Sequence, residues 1–198
     1  LHHCNRKSTR PAKNLKTAKP SRSSRHQMPK NGWMKYELQH FIFERCSKGF
    51  EEMEEVISKN HVHLAIFCSP HNPAGRVWEK WELDKAFAIF EKYNVYVISD
   101  EIWADLTYTG SQHHPSYEVN EWAKEHVISV YALGKTFNLA GFNVAYSVIP
   151  GKYLRDRIVN YASQTHLNGQ SILDMYAQIG AYSETGYEWT AELKTVLE

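Results

Sequence analysis

Asn72, Asp100 and Lys135 each stand just past a run of apolar residues that reads as a buried strand: 62–68 (VHLAIFC), 95–99 (VYVIS) and 127–133 (VISVYAL). In open α/β sheets ligands bind beyond the carboxyl ends of the strands. If these three strands are parallel neighbours, an amide, a carboxylate and a lysine converge on one crevice. Such a set can orient a small polar ligand, pair with its charge and supply an amine as nucleophile or proton carrier. Taken singly, each residue has a plainer reading. Lys135 is a surface lysine, Asp100 a helix N-cap after a strand, and Asn72 a turn residue before a proline.

The elements that must position these residues follow from the apolar spacing. Residues 50–58 place Phe50, Met53, Val56 and Ile57 on one side of a helix. The strand at 62–68 runs into a loop punctuated by Pro and Gly, 69–75 (SPHNPAG). Residues 79–93 predict an amphipathic helix with Leu83, Ala86, Phe87 and Phe90 on one face, and Asn94 where a C′ residue would end it. Strand, loop, helix and strand in this order make a right-handed crossover unit with parallel strands. A fourth strand is expected at 143–149, stopped by Pro150-Gly151, and a short strand region at 33–43. The remainder, 153–198, reads as helical with Gly169, Gly180 and Gly186 as breaks. The class is α/β, a mostly parallel sheet with flanking helices.

Composition narrows the setting. Of the 198 residues 42% are apolar, ordinary for a globular domain, and no apolar run approaches the ~20 residues that span a bilayer. Three cysteines, Cys4, Cys46 and Cys68, without CxxC spacing point to a reducing compartment. With no apolar h-region in the first thirty residues, the expected location is cytoplasmic. His61/His63 and His113/His114 lack the spacing of a known metal site, so no metal is expected. Nine of the 23 Lys and Arg lie in residues 1–30, which hold none of the 22 Asp and Glu. The rest of the chain is therefore acidic, and nucleic acid is not an expected partner. Residues 1–31 read as a basic disordered tail, with three alternatives open: a targeting segment, an arm for an anionic polymer, or a non-native segment.

Three motifs carry a resemblance. They are 69–78 (SPHNPAGRVW), 99–106 (SDEIWADL) and 134–141 (GKTFNLAG), in that order. Together they resemble the fold-type-I pyridoxal-phosphate (PLP) enzymes of the class I/II aminotransferase superfamily, in the MalY/PatB-type cystathionine β-lyase branch. The resemblance implies that residues 32–198 are part of the PLP-binding large domain, truncated at both ends. It implies that Lys135 carries PLP as a Schiff base and moves protons at the substrate's α-carbon, helped by partial desolvation of its amine. Asp100 would pair with the ring nitrogen, and Asn72 would donate to the ring's phenolic oxygen across a cis Asn72-Pro73 bond. Trp103 stands where relatives have tyrosine or histidine, and its indole can donate one hydrogen bond. Gly134 and nearby backbone would face the phosphate.

The sequence also departs from the pattern. Ala132 and Gly134 occupy places where many relatives carry serines, and Phe142, Asn143 and Val144 stand where many place an arginine. A Gly-rich phosphate segment, a ring-stacking aromatic and a small domain with a carboxylate-binding arginine, all implied by the family, are not found in these residues. The expected activity is a PLP-dependent carbon–sulfur β-lyase on cystathionine- or cysteine-type amino acids. The alternatives are an amino-acid aminotransferase on the same framework or an inactive truncated domain. A homodimer is implied for the full-length enzyme, and no membrane partner is expected.

Overall fold

The structure is a computed structural model that describes residues 47–198. The predicted strand region at 33–43 and the basic tail lie outside those residues. Helix α1, Ser47–Asn60, buries Met53 and Ile57. It ends where His61 takes a left-handed φ of 49° and the Val62 N–H returns to the Ile57 carbonyl at 3.2 Å. Strand β1, Leu64–Cys68, leads through a loop to helix α2, Lys80–Lys92, and then to strand β2, Tyr96–Asp100. Asn94 closes α2 as its type suggests, with φ of 51° and the Val95 N–H donating to Phe90 O at 2.9 Å.

Residues 101–126 hold a 3-10 turn, Ser116–Glu118, and helix α3, Glu121–His126. Asn120 caps α3, its side chain accepting from the Ala123 N–H at 2.8 Å. Neither element is legible from periodicity, because both are too short to show one. Strand β3, Val127–Ala132, passes into a single helical turn, α4, Leu133–Thr136, and then strand β4, Ala145–Val148.

The sheet order is β1-β2-β3-β4. The first three strands are parallel neighbours, as the convergence of the polar residues requires, in registers that align Cys68, Asp100 and Val130. β4 runs antiparallel to β3. Its connection contains only the turn α4 and no crossover helix, so the chain doubles back. Side chains alternate between the two faces of such a sheet. Phe67, Val97 and Val127 face one side and are buried, with Phe87 and Phe90 of α2 meeting Phe67 edge-on at 5.7 and 6.2 Å. Ile66, Ile98 and Ile128 share the opposite face with Asp100, and the described residues cover that face only in part.

Helices α5, Lys152–Gln164, α6, Ile172–Ala181, and α7, Glu184–Leu197, complete the chain. Gly169 lies in the break between α5 and α6, as expected. Gly180 and Gly186 do not break helices; they lie inside α6 and α7. On α6, Ile172, Leu173, Met175, Tyr176 and Ile179 are exposed by half or more.

Gly186 has a steric rather than a conformational role. A Cβ there would sit 1.9 Å from the Ala181 carbonyl oxygen, so the first turn of α7 can approach the end of α6 only without a side chain. Helix propensity alone would make Gly186→Ala stabilising by about 1 kcal/mol. We expect the clash to reverse the sign and destabilise the protein by about 1–3 kcal/mol, read as a lower midpoint in urea unfolding.

Candidate functional site

The loop that carries Asn72 is fastened at both ends. The Ser69 N–H donates to Asp100 O at 3.0 Å, which ties the loop's start to the end of β2. His71 N–H donates to Arg76 O at 2.7 Å and Gly75 N–H to His71 O at 2.8 Å, so residues 71–76 close on themselves. Gly75 has a φ of 62°, a conformation that favours glycine. Both Ser69-Pro70 and Asn72-Pro73 are cis, the second as the sequence reading expects. The Arg76 guanidinium pairs with the buried Glu82 carboxylate and lies over the Trp78 ring, 5.0 Å from its centroid. Glu82 also accepts the Glu79 N–H at 2.8 Å, which joins the loop to the start of α2.

Asp100 is the last residue of β2. Its Oδ1 accepts the Ile102 N–H at 3.2 Å, and the following turns, Ala104 N–H to Glu101 O and Leu106 N–H to Trp103 O, carry Trp103 round beside it. Lys135 rides on α4. Leu133, 1% exposed, anchors that turn and donates its N–H to Val144 O at 3.1 Å, and Phe137 N–H closes the turn on Leu133 O at 3.0 Å.

The structure brings four of the five predicted residues to one place. Asn72, Asp100, Trp103 and Lys135 line a single cavity of about 340 Å³, with Ile66 and Ile102 among its apolar walls. Gly134 is not on that wall. It lines an adjoining cavity of about 540 Å³ with Ala132 and Asn143, and Lys135 and Ile102 border both spaces. The Lys135 side chain is exposed, so the described residues do not supply the desolvation expected for its amine.

Two features of the site were not assigned from sequence. Cys68 lines the same cavity, where burial pushes its thiol up and the Asp100 charge adds to the effect; it donates to Pro70 O at 3.3 Å. Glu101, next to Asp100, is fully buried on the other face of the sheet. Burial alone would raise its pKa, but hydrogen bonds from His113, Ser129 and Tyr131 outweigh that and hold it below the usual carboxylate value. The signal was available in the alternation: Glu101 continues the face of Val95, Val97 and Ser99, the buried one.

Comparison with known proteins gives the arrangement its relatives. Residues 31–180 match the family model described as aminotransferase class I and II. The chain is 32% identical to cystathionine beta-lyase PatB of Bacillus subtilis over 87% of its own length and 45% of that protein's. It is 31% identical to the protein MalY of Escherichia coli, over 77% of its own length and 38% of that protein's. Among solved structures, cystalysin from Treponema denticola, which contains a pyridoxal 5'-phosphate cofactor, superposes with a TM-score of 0.67 at 32% identity, over 74% of this chain and 37% of that one. The chain thus spans less than half the length of the curated relatives it matches. With a family match across most of its length, the chain belongs to the class I and II aminotransferase family.

Proposed function

We propose that this chain supplies the cofactor-holding core of a PLP-dependent carbon–sulfur β-lyase acting on cystathionine- or cysteine-type amino acids. The observation that carries the proposal is the convergence of Asn72, Asp100, Trp103 and Lys135 on one cavity. That donor set fits PLP: an amine for its aldehyde, a carboxylate for its ring nitrogen, and an amide and an indole N–H for its phenolic oxygen. The family match from residue 31 to 180 supports reading residues 32–198 as the PLP-binding domain and residues 1–31 as a separate segment. We take the working enzyme to be a cytoplasmic homodimer. No helix among the described residues is long and apolar enough to cross a membrane.

When bound, PLP supplies an electron-withdrawing ring that stabilises negative charge at the substrate's α-carbon. The protein's residues do the rest. With the cofactor in place, Lys135 would hold it through its amine and, with that amine free, would take the proton from the substrate's Cα. Asp100 would offer the ring nitrogen a negative partner that favours its protonated form. Asn72 would donate its side-chain N–H to the ring's phenolic oxygen. The Cβ–S bond then breaks with its electron pair on sulfur, which leaves as a thiol after taking a proton. The three-carbon remainder takes up water to give pyruvate and ammonia.

The family's own description favours a second reading, an amino-acid aminotransferase that uses the same residues. The two differ in the fate of the substrate, so the test is direct. Thiol release from cystathionine without any keto acid supports the lyase; amino transfer that requires a keto acid supports the transferase. Neither reaction would favour an inactive domain.

Two outcomes are expected before any turnover assay. Borohydride reduction of the chain mixed with PLP should fix the cofactor on the peptide containing Lys135, read by peptide mass, and Lys135→Ala should abolish the adduct. An adduct spread evenly over other lysines would sink the assignment. At Gly134 a Cβ would meet Ala140 Cα at 3.6 Å, an ordinary contact. Gly134→Ser should therefore fold normally and add one hydroxyl donor for the phosphate, tightening PLP binding by about 1.5 kcal/mol or more, roughly tenfold, as measured by equilibrium dialysis.

A further inference from the structure

We propose that Glu101 is the positioning residue of this site: its buried carboxylate fixes the end of β2, aims the neighbouring Asp100 carboxylate into the cavity, and ties it through Tyr131 to the turn that carries Lys135. The inference rests on the functional reading above for the roles of Asp100 and Lys135.

Glu101 accepts hydrogen bonds from four groups on two different parts of the chain. Oε1 takes the Ser129 hydroxyl at 2.6 Å and the Ser116 N–H at 3.1 Å. Oε2 takes the Tyr131 hydroxyl at 2.6 Å and His113 Nε2 at 2.8 Å. A carboxylate offers about four acceptor positions, and all are used. Ser99 and Ser116 add a hydroxyl contact of 2.7 Å beside them. The carboxylate thus binds β3 and the segment before α3 to the end of β2.

A buried, fully bonded carboxylate can serve folding alone. Three observations give this one a role in the site. First, Asp100 and Glu101 are consecutive, so the backbone fixed by one side chain sets the direction of the other. Second, the strand end is held from both sides: Asp100 O accepts from Ser69 N–H, and Glu101 N–H donates to Val130 O, each at 3.0 Å. Within this frame the Asp100 side chain is oriented by the Ile102 N–H, and the turn bearing Ile102 is closed on Glu101 O by Ala104 N–H. Third, the network continues toward the lysine. Tyr131 stacks on Tyr146 across the β3–β4 pair, 5.2 Å between centroids and 18° between planes. Tyr146 and Tyr182 share a hydroxyl contact of 3.0 Å, and Tyr182 meets Phe137 edge-on at 5.7 Å. Phe137 is the residue whose N–H closes the Lys135 turn. One connected set of contacts therefore runs from the carboxylate side of the cavity to the amine side.

The test uses Tyr131→Phe and Ser129→Ala, each of which removes one donor and keeps the side chain's bulk, with Glu101→Gln as the near-isosteric change. In the 198-residue chain, amide hydrogen exchange at Ile102 and Ser69 should accelerate about tenfold or more, the loss expected of a hydrogen bond to a charged group. Exchange at Leu83 and Phe87 in α2 should stay unchanged. Unchanged exchange at Ile102 and Ser69, or an acceleration spread equally to α2, would overturn the inference, since either is what a purely structural carboxylate produces. With PLP added, the same variants should weaken its binding about tenfold and displace the visible absorption band. If Lys135→Ala binds PLP as the unmodified chain does, the functional reading fails while the exchange result still decides the role of Glu101. If Lys135→Ala loses PLP but Tyr131→Phe binds and absorbs unchanged, the positioning role alone is wrong.

Discussion

Everything at the site depends on three parallel strands ending level. The registers place Cys68, Asp100 and Val130 side by side, and a slip of one residue would turn every side chain beyond them to the opposite face. Such a slip of β2 would move Asp100 to the apolar face that holds Phe67 and Val127 and put Glu101 on the cavity side. The register is held by the packing of α2 on the buried face and by the two backbone hydrogen bonds that bracket the Asp100–Glu101 peptide. The cavity's chemistry is thus set by the same alternation that builds the core.

That alternation places two adjacent carboxylates in contrasting surroundings. Glu101 has four donors and no contact with water, whereas Asp100 is half-buried and, among the described residues, its carboxylate accepts from the Ile102 N–H. Burying a carboxylate is tolerable only with charge-favouring hydrogen bonds in place, and the network around Glu101 meets that condition. Among the described residues, this leaves acceptor capacity at Asp100 for a ligand. On the opposite side of the cavity Lys135 sits on one helical turn fixed by Leu133 and Phe137, so its backbone is ordered while its amine stays in solvent.

Much of this was legible in the sequence. The three strands, α2 and its Asn94 terminus follow from apolar spacing and turn chemistry, and the convergence of Asn72, Asp100 and Lys135 follows from strand ends alone. Trp103 entered only through the family's motif, as did the function. Other features escaped for identifiable reasons. α3 has six residues, fewer than two helical turns, so no periodicity marks it. Gly186 looks like any helix-breaking glycine until the neighbouring Ala181 carbonyl is known. The direction of β4 depends on how the chain turns after α4, which no local pattern encodes. Gly134 lines the adjoining cavity, which Lys135 also borders, and no local pattern says which of two neighbouring spaces a turn residue will line. The partners of Glu101 lie 12 to 30 residues away in the chain, a separation at which sequence proximity carries no information.

Helix α6 has consequences for handling the protein that its fold alone would not suggest. Five of its ten residues are large apolar side chains facing water, and the hydrophobic effect acts on each of them at about 25 cal/mol per Å² of surface. In solution such a helix behaves as a small surfactant fixed to a folded body. It will take up hydrophobic dyes and mild detergents and draw molecules together as concentration rises. Salt that is excluded from protein surfaces will strengthen the effect.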